Sequence, residues 1–461
     1  MNKSLSLAAA ALLAAGCSLI PDYRRAEPPV AAAWPASAEP AGARAAAATG
    51  WRSFFPDPRL QALIAAALEH NRDMAIAVAR VEEARAQYGI ARADRFPTVT
   101  AGLSRTASKT PADLSATGRT LNSQRYDANL AVTAFELDFW GRVRSLGESS
   151  LASYLATEEA QRAFRLSLIA DVANAYLTLL ELDERTALAQ ATLASRDETR
   201  KLVVKRRDVG LASDLDVLQT DGVRESARAE VASLLRQRAA AENALTLLVG
   251  RMPAPLPPGR GLAEQGIVND LAAGLPAEVL LARPDVLAAE QRLIAAHANI
   301  GAARAAFLPK ILLTATLGSA SRALAGLFDA GSGAWTFQPA MSLPLFDMGR
   351  TAASVDVAEA RRNVAVAEYE RTIQQAFREV ADLLAAREHL ATQFAALDAA
   401  ARTQAERLKL AEARYNAGIA SYLEVLDAQR EAFAAQQGAV QTRRAFLAAA
   451  AQLYKALGGG S

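Results

Sequence analysis

Cysteine is nearly absent. Cys17 stands alone among 461 residues, so no disulfide can form within the chain. Histidine is also scarce: His70, His297 and His389 are far apart in sequence and show no metal-ligand spacing. No phosphate loop or nucleophile motif occurs, so nothing points to an enzyme or to a bound cofactor. Neither sign of charge dominates. The 51 Lys and Arg against 49 Asp and Glu leave a net +2, which removes the electrostatic ground for a nucleic-acid partner. Aromatics make up only 6 %. Proline is missing between Pro111 and Pro253 and again after Pro344. Past the N-terminal segment there is no run of 18 apolar residues, the length expected of a transmembrane helix.

What is present is alanine-rich, Leu/Glu/Arg-rich text that favours long helices. Met1 to Gly16 reads as a signal peptide, with basic Lys3, an apolar run from Leu5 to Ala15, and small residues before Cys17. Leu13-Ala14-Ala15-Gly16-Cys17 resembles a bacterial lipobox, departing from it at Ala14 where leucine is usual. On that reading Cys17 is the first mature residue and carries diacylglycerol and an N-acyl chain, an anchor firmer than a single chain gives. Ser18 in the next position favours sorting to the outer membrane. The plainer alternative is a secretory signal with an incidental cysteine.

The chain also repeats itself at a period of roughly 210 residues, and a repeat is read as architecture first. Asn71-Arg72-Asp73 answers to Arg283-Pro284-Asp285, Phe96-Pro97 to Leu308-Pro309, and Gly141-Arg142 to Gly349-Arg350. Asp171-Val172-Ala173 answers to Glu379-Val380-Ala381, and Gly210-Leu211-Ala212-Ser213 to Gly418-Ile419-Ala420-Ser421. The proline-free stretches are where long helices can run. Val143 to Val209, if helical, spans about 100 Å at 1.5 Å per residue. In the second copy Leu390, Phe394, Leu397, Ala401, Gln404, Leu408, Ala411 and Tyr415 step by four and three, which is coiled-coil spacing. Gly210 and Gly418 end the helices, with Ser213 and Ser421 as N-caps of the returning ones. Each copy therefore holds a long helical hairpin.

Between the helices lie segments of period two. Tyr126, Ala128, Leu130, Val132 and Ala134 alternate with Asp127, Asn129, Ala131, Thr133 and Phe135. Ile311 to Gly318 and Trp335 to Leu343 do the same, and Thr98 to Thr106 less cleanly. Such patterning suits membrane β-barrel strands. Four strands cannot enclose a water-filled lumen, and open edges in lipid leave backbone groups unpaired at several kcal/mol each. The barrel must then be shared among chains. A four-stranded sheet packed on helices is the soluble alternative.

These landmarks, with Cys17-Ser18-Leu19-Ile20-Pro21-Asp22-Tyr23, Glu136-Leu137-Asp138, Ile300-Gly301-Ala302-Ala303-Arg304, Gly326-Leu327-Phe328-Asp329-Ala330-Gly331 and Leu453-Tyr454-Lys455-Ala456-Leu457-Gly458-Gly459, resemble the OprM-type (NodT-like) outer-membrane factors of the TolC superfamily. The resemblance implies an α+β membrane protein: coiled-coil hairpins forming a periplasmic helical barrel, and four strands per chain in a trimeric twelve-stranded outer-membrane barrel. It divides the chain into a signal peptide (1–16), a lipidated N-terminal and equatorial segment with a first helix (17–97), a β-hairpin (98–140), a long helical hairpin (141–250), an equatorial linker (251–285), a helix (286–308), a second β-hairpin (309–347) and a second helical hairpin with the C-terminal segment (348–461).

The implied role is the exit duct of a tripartite RND efflux pump. Its partners would be two further copies, a periplasmic adaptor, an inner-membrane RND transporter and outer-membrane lipid. The implied periplasmic gate uses Asp216, Tyr415, Leu423, Glu424 and Asp427. Arg430 joins it because Leu423, Asp427 and Arg430 share a helix face. The turns Gly210, Leu211, Ala212, Ser213 and Gly418, Ile419, Ala420, Ser421 would be the adaptor-docking tips. An ordinary solvated helix face is the alternative for the gate. A type I secretion channel, a metal-ion efflux channel, or a purely structural coiled-coil lipoprotein are the alternatives for the whole, and the last predicts no barrel strands.

Overall fold

The structure is a computed structural model that describes residues 19–25, 27–35, 44–267 and 271–460. Cys17 and the signal segment lie outside the described residues. The elements in chain order are β1 (Arg44–Ala45), α1 (Trp51–Phe54), α2 (Pro58–His70), α3 (Arg72–Ala93), β2 (Val99–Thr110), β3 (Leu121–Glu136), α4 (Arg142–Asp208) and α5 (Asp214–Val249). The second half runs β4 (Leu271–Ala272), α6 (Pro276–Ala282), α7 (Pro284–Ala305), β5 (Lys310–Ser321), β6 (Gly333–Ser342), α8 (Arg350–Asn416) and α9 (Tyr422–Ala456). The described residues group into two units. One gathers residues up to Glu27, Arg80–Glu158 and Ala288–Tyr369; the other gathers Pro28–Ala79, Glu159–Leu287 and residues from Glu370 on.

The first unit holds the sheet, antiparallel throughout, in the order β2-β3-β5-β6. Cross-strand partners share a face. Val99, Ala101 and Leu103 therefore line up with Val132, Leu130 and Ala128. These continue into Ala315, Leu317 and Ser319 on β5, and into Phe337, Trp335 and Gly333 on β6. The opposite face carries Thr100, Gly102, Ser104, Asp127, Asn129, Thr314, Thr316, Thr336 and Gln338. Among the described residues nothing covers the apolar face: Leu103, Leu317, Trp335, Phe337 and Met341 are all exposed.

One expected position moves. A β-bulge between Val132 and Phe135 puts Ala134 at φ +52° and sets Phe135 opposite Leu313. The inserted residue flips the phase, so Phe135 takes the apolar-face place that simple alternation gives to Ala134. The bulge escapes sequence reading because small Ala131, Thr133 and Ala134 fit either face. β2 also runs further than its alternation suggests, because pairing continues through Thr110↔Leu121 irrespective of hydropathy. Gly318 allows close strand approach: a Cβ there would lie 2.0 Å from the Ala128 carbonyl oxygen.

The segment from Leu19 to Arg25 is clamped onto α7 within this unit. Arg25 makes a two-pronged ion pair with buried Glu290 at 2.6 Å, Tyr23 donates its hydroxyl to the same carboxylate at 3.0 Å, and the His297 ring meets the Pro21 carbonyl at 2.8 Å.

The second unit holds the turn ends of both helical hairpins and a buried belt. None of the eight positions from Leu390 to Tyr415 in the predicted stripe is exposed. Ala411, Tyr422, Val425 and Ala428 pack together with Leu408, Tyr415 and Leu426 where α8 meets α9. Leu182, Ala189 and Leu234 do the same for α4 and α5, with Phe433 of α9 against them. One stretch of α4 is long and apolar enough to cross a membrane by length and average composition, without the unbroken apolar run sought in the sequence. Its Ile169, Val172, Ala173 and Leu177 are buried in this unit. In the belt, Tyr454 stacks on Phe54 at 4.4 Å, and Trp34 stacks on Phe377 at 4.9 Å while donating to the Gly274 carbonyl. Arg283 is buried, donates to the Ala456 carbonyl and pairs with Asp285 and Glu379. Burial raises the Asp285 pKa, yet the hydrogen bonds and charge of Arg283 outweigh it and leave the carboxyl below its usual range.

Asp57 is another hub of the belt. It is fully buried, caps α2 through the Arg59 N–H at 2.8 Å, and accepts from Tyr176, Gln265 and the Arg260 N–H at 3.0, 2.8 and 3.1 Å. Replacing it strands several buried donors. Asp57→Ala is expected to cost on the order of 3 kcal/mol, against under 1 kcal/mol for a surface control such as Glu69→Ala, checked by thermal unfolding of detergent-purified protein.

Candidate functional site

The turn ends of the hairpins gather most of the residues singled out by the sequence. Both helices end the same way. Gly210 (φ +80°) donates to the Arg207 carbonyl and Leu211 to that of Arg206, both at 2.8 Å. Gly418 (φ +74°) donates to Tyr415 and Ile419 to Arg414, at 3.0 and 2.9 Å. This double closure needs a left-handed residue, which glycine supplies without a Cβ penalty. Leu211, Leu215, Leu218, Ile419 and Leu423 stand exposed around the turns.

The returning helices start differently. Ser213 and Asp216 form a capping box: the Asp216 N–H donates to the Ser213 hydroxyl at 3.2 Å, and the Ser213 N–H donates to the Asp216 carboxylate at 2.8 Å. The Ser213 backbone and then its hydroxyl hold the Asp216 carboxyl below the usual carboxylate range. The folded pKa is thus depressed, so this contribution to stability is present above about pH 4 and is lost as pH falls through the lowered value. Ser421 sits at the N-cap of α9 but makes no side-chain cap bond, which departs from the expectation. The carboxylate in the matching third position, Glu424, instead pairs with Arg414 across the turn at 3.2 Å.

Asp427 lies between two arginines, Arg407 of α8 at 2.8 Å and Arg430 one turn along at 2.9 Å. Arg430 also reaches Glu431 at 3.1 Å. The shared face of Leu423, Asp427 and Arg430 is therefore a face of contacts, with Leu423 left open to solvent. Tyr415 faces inward to the hairpin: its ring lies 5.5 Å from Tyr422, and the Arg206 guanidinium sits 4.6 Å above it. Burial first, then the neighbouring Tyr415, pushes the Tyr422 pKa up to about 12, against the opposing charge of Arg196. On the first hairpin Arg224 binds Asp197 at 2.5 Å, and Arg200 pairs with Asp221. Arg407, Arg414 and Arg206 were not singled out by sequence reasoning. A signal for the first two was available: Arg407 with Asp427, and Arg414 with Glu424, lie roughly equidistant from Gly418. No group of His, Cys, Asp and Glu among the described residues is arranged to hold a metal.

A four-stranded sheet with an uncovered apolar face, joined in one chain to two long helical hairpins, is the make-up of an outer-membrane channel subunit. The outer membrane efflux protein family matches residues 63–251 and 275–459, and the chain belongs to that family. It is 45 % identical over 467 aligned residues to the probable efflux pump outer membrane protein TtgC of Pseudomonas putida, covering 100 % of this chain and 96 % of that one. It is 44 % identical to the outer membrane protein OprJ of Pseudomonas aeruginosa, covering 98 % and 94 %. The open-state crystal structure of the Neisseria gonorrhoeae MtrE outer membrane channel superposes with a TM-score of 0.88 at 39 % identity, over 96 % of this chain and 98 % of that one. The protein is thus an outer-membrane efflux channel component.

The two turns should respond unequally to serine removal. Ser213→Ala is expected to cost about 1 kcal/mol of local stability at the start of α5, whereas Ser421→Ala should change little. Amide exchange at residues 214–218 and 422–426 checks this, and equal protection changes would contradict it.

Proposed function

We propose that the chain is one third of a lipid-anchored exit channel of a tripartite RND efflux pump, with no catalytic activity of its own. The observation that carries the proposal is the open sheet, which has an apolar face for lipid, a face of small and polar residues for a lumen, and too few strands to close. Three copies give twelve strands, enough for a water-filled pore. Cys17 would carry the diacylglycerol and N-acyl chains. The clamp of Tyr23 and Arg25 on Glu290 supports this reading, because it ties the segment just after the cysteine to the sheet's own unit. Relatives bear names such as toluene efflux pump outer membrane protein TtgC and antibiotic efflux pump outer membrane protein ArpC, which support small apolar and amphipathic cargo. An inner-membrane RND transporter would deliver that cargo through a periplasmic adaptor.

The exposed turns Gly210 to Ser213 and Gly418 to Ser421 would receive the adaptor by helix-to-helix packing. The gate would lie beside them, with three-fold symmetry turning each inward side chain into a ring. Leu423 would block by apolar contact, and Asp427 with Arg407 and Arg430 would hold α8 and α9 together in the closed state. Glu424 through Arg414, Asp216 through its capping box, and Tyr415 within the hairpin would hold the turns in shape. Exposed ion pairs of this kind are worth about 1 kcal/mol or less each, so docking could exchange them.

Two measurements test the proposal. Asp427→Ala combined with Leu423→Ala should raise single-channel conductance in planar bilayers several-fold; conductance equal to wild type would remove these residues from the gate. Mass spectrometry of the mature N-terminus should find Cys17 triacylated, and a free thiol there would exclude the lipid anchor.

A further inference from the structure

The uncovered face of the sheet changes chemistry along its length. Starting from the ends that join the helices, its rungs are Ile311–Met341, Leu313–Pro339, Val99–Val132–Ala315–Phe337, Ala101–Leu130–Leu317–Trp335 and Leu103–Ala128–Ser319–Gly333. The next rung is Arg105–Tyr126–Ser321. Beyond it β2 and β3 carry on alone, with Ala107–Gln124 and Lys109–Asn122 on the same face. The face therefore turns from apolar to cationic between Leu103 and Arg105.

The change falls at a telling height. Ile311 to Ser321 spans ten residues of β5, which is about 33 Å along the strand and about 25 Å across a bilayer at a tilt of about 40°. That is the height of a barrel's lipid-facing band, so Arg105, Tyr126 and Ser321 stand at its outer boundary. A Tyr ring suits that depth. So does an arginine, which is far less costly at the interface than at the bilayer midplane. The Arg105 guanidinium lies 5.6 Å from the centre of the Tyr126 ring and donates to the Gln124 side-chain oxygen, one rung higher, at 3.4 Å. The side chain thus runs up the face, away from the apolar rungs.

Neither cation is neutralised by the chain. Both Arg105 and Lys109 are exposed. Among the described residues these rungs carry no Asp or Glu, and neither side chain forms an ion pair. The opposite face of the same hairpin is arranged differently, because there Arg125 pairs with Asp127 at 2.7 Å.

We propose that Arg105 and Lys109 bind the phosphates of a glycolipid in the outer leaflet of the membrane. The turn between β2 and β3 lies at the far end of the sheet from α3 and α4, so periplasmic helices put this rung on the outer side. Arg105 and Lys109 are four residues apart on β2, about 13 Å, a spacing that suits a head group with a phosphate on each of two sugars. Arg105 takes the phosphate at the acyl boundary with its planar fork of donors, and Lys109 takes the one further out as a point charge. The exposed amides of Gln124 and Asn122 on the neighbouring strand offer hydrogen bonds to sugar hydroxyls. The apolar rungs below receive the acyl chains. This inference rests on the lipid-facing reading of the sheet and adds the class of lipid that the face selects.

The test titrates full-length protein, purified in detergent and stripped of co-purified lipid, with diphosphorylated lipid A, and reads occupancy by native mass spectrometry. Wild type should bind at least tenfold more tightly than the double variant Arg105→Gln with Lys109→Gln. Arg125→Gln, on the opposite face, should match wild type. Each single variant should lose about threefold, so the result does not hang on assembly of the double variant, which an unheated gel scores. Removing both phosphates from the lipid should weaken wild-type binding as much as removing both cations does. Equal affinity of wild type and the cation variants, or no loss on removing the phosphates, overturns the site and leaves the lipid-facing sheet standing. Inorganic phosphate bound as tightly as the lipid would overturn it too, by making it a site for the free anion. A protein that stays dispersed without detergent and takes up no lipid overturns the lipid-facing reading as well.

Discussion

A β-strand in lipid has no water to satisfy its outer edge. The edges of β2 and β6 have no neighbouring strand, beside a face of Leu103, Trp335, Phe337 and Met341 that none of the described residues covers. Each lipid-exposed backbone group costs several kcal/mol, while burying that face in lipid is favourable. The two demands meet only if further strands are supplied from outside the chain. The internal repeat eases the geometry. One hairpin design is used twice, with a junction between β3 and β5 that solves the pairing problem once inside the chain.

The second unit is built on a different principle. Its belt is buried, with Asp57, Arg283 and Tyr454 each tying together segments remote in sequence. Losing one partner in such a network leaves buried polar groups unsatisfied, so the belt resists opening. The turn ends have the opposite character. Their ion pairs are exposed and their leucines are uncovered. Rearranging them costs little, which is the property a gate needs.

Much of this was legible in the sequence because it depends on period. The eight-residue stripe from Leu390 to Tyr415, the four strands, and the glycine turns followed from spacing, proline placement and the repeat. What was not legible depends on partners remote in sequence. The bulge at Ala134 is dictated by how β3 meets β5, and small residues on both faces hide it. Ser213 and Ser421 occupy matching positions, yet Ser213 has Asp216 three residues on and forms a box, while Ser421 has Glu424, whose longer side chain reaches Arg414 on the preceding helix. The apolar stretch of α4 has no unbroken apolar run of membrane-spanning length, yet its average hydropathy reaches that of a span. Its Ile169, Val172, Ala173 and Leu177 pack inside the second unit.

The unequal capping bears on which hairpin would open under the proposed gating. A box such as Ser213–Asp216 ties two backbone donors to side chains of the same turn, and its bonds are local, so they survive any movement of the hairpin as a whole. In the α8–α9 hairpin the same acidic position is spent on a bond between two helices, and Asp427 likewise bridges to Arg407 of α8. Both carboxylates therefore link α9 to α8, and neither secures its own backbone. Splaying the second hairpin breaks Arg414–Glu424 and Arg407–Asp427, whereas the start of α5 keeps its cap. A local cap makes a rigid turn and a cross-helix ion pair makes a reversible latch, so the second repeat is the one suited to move.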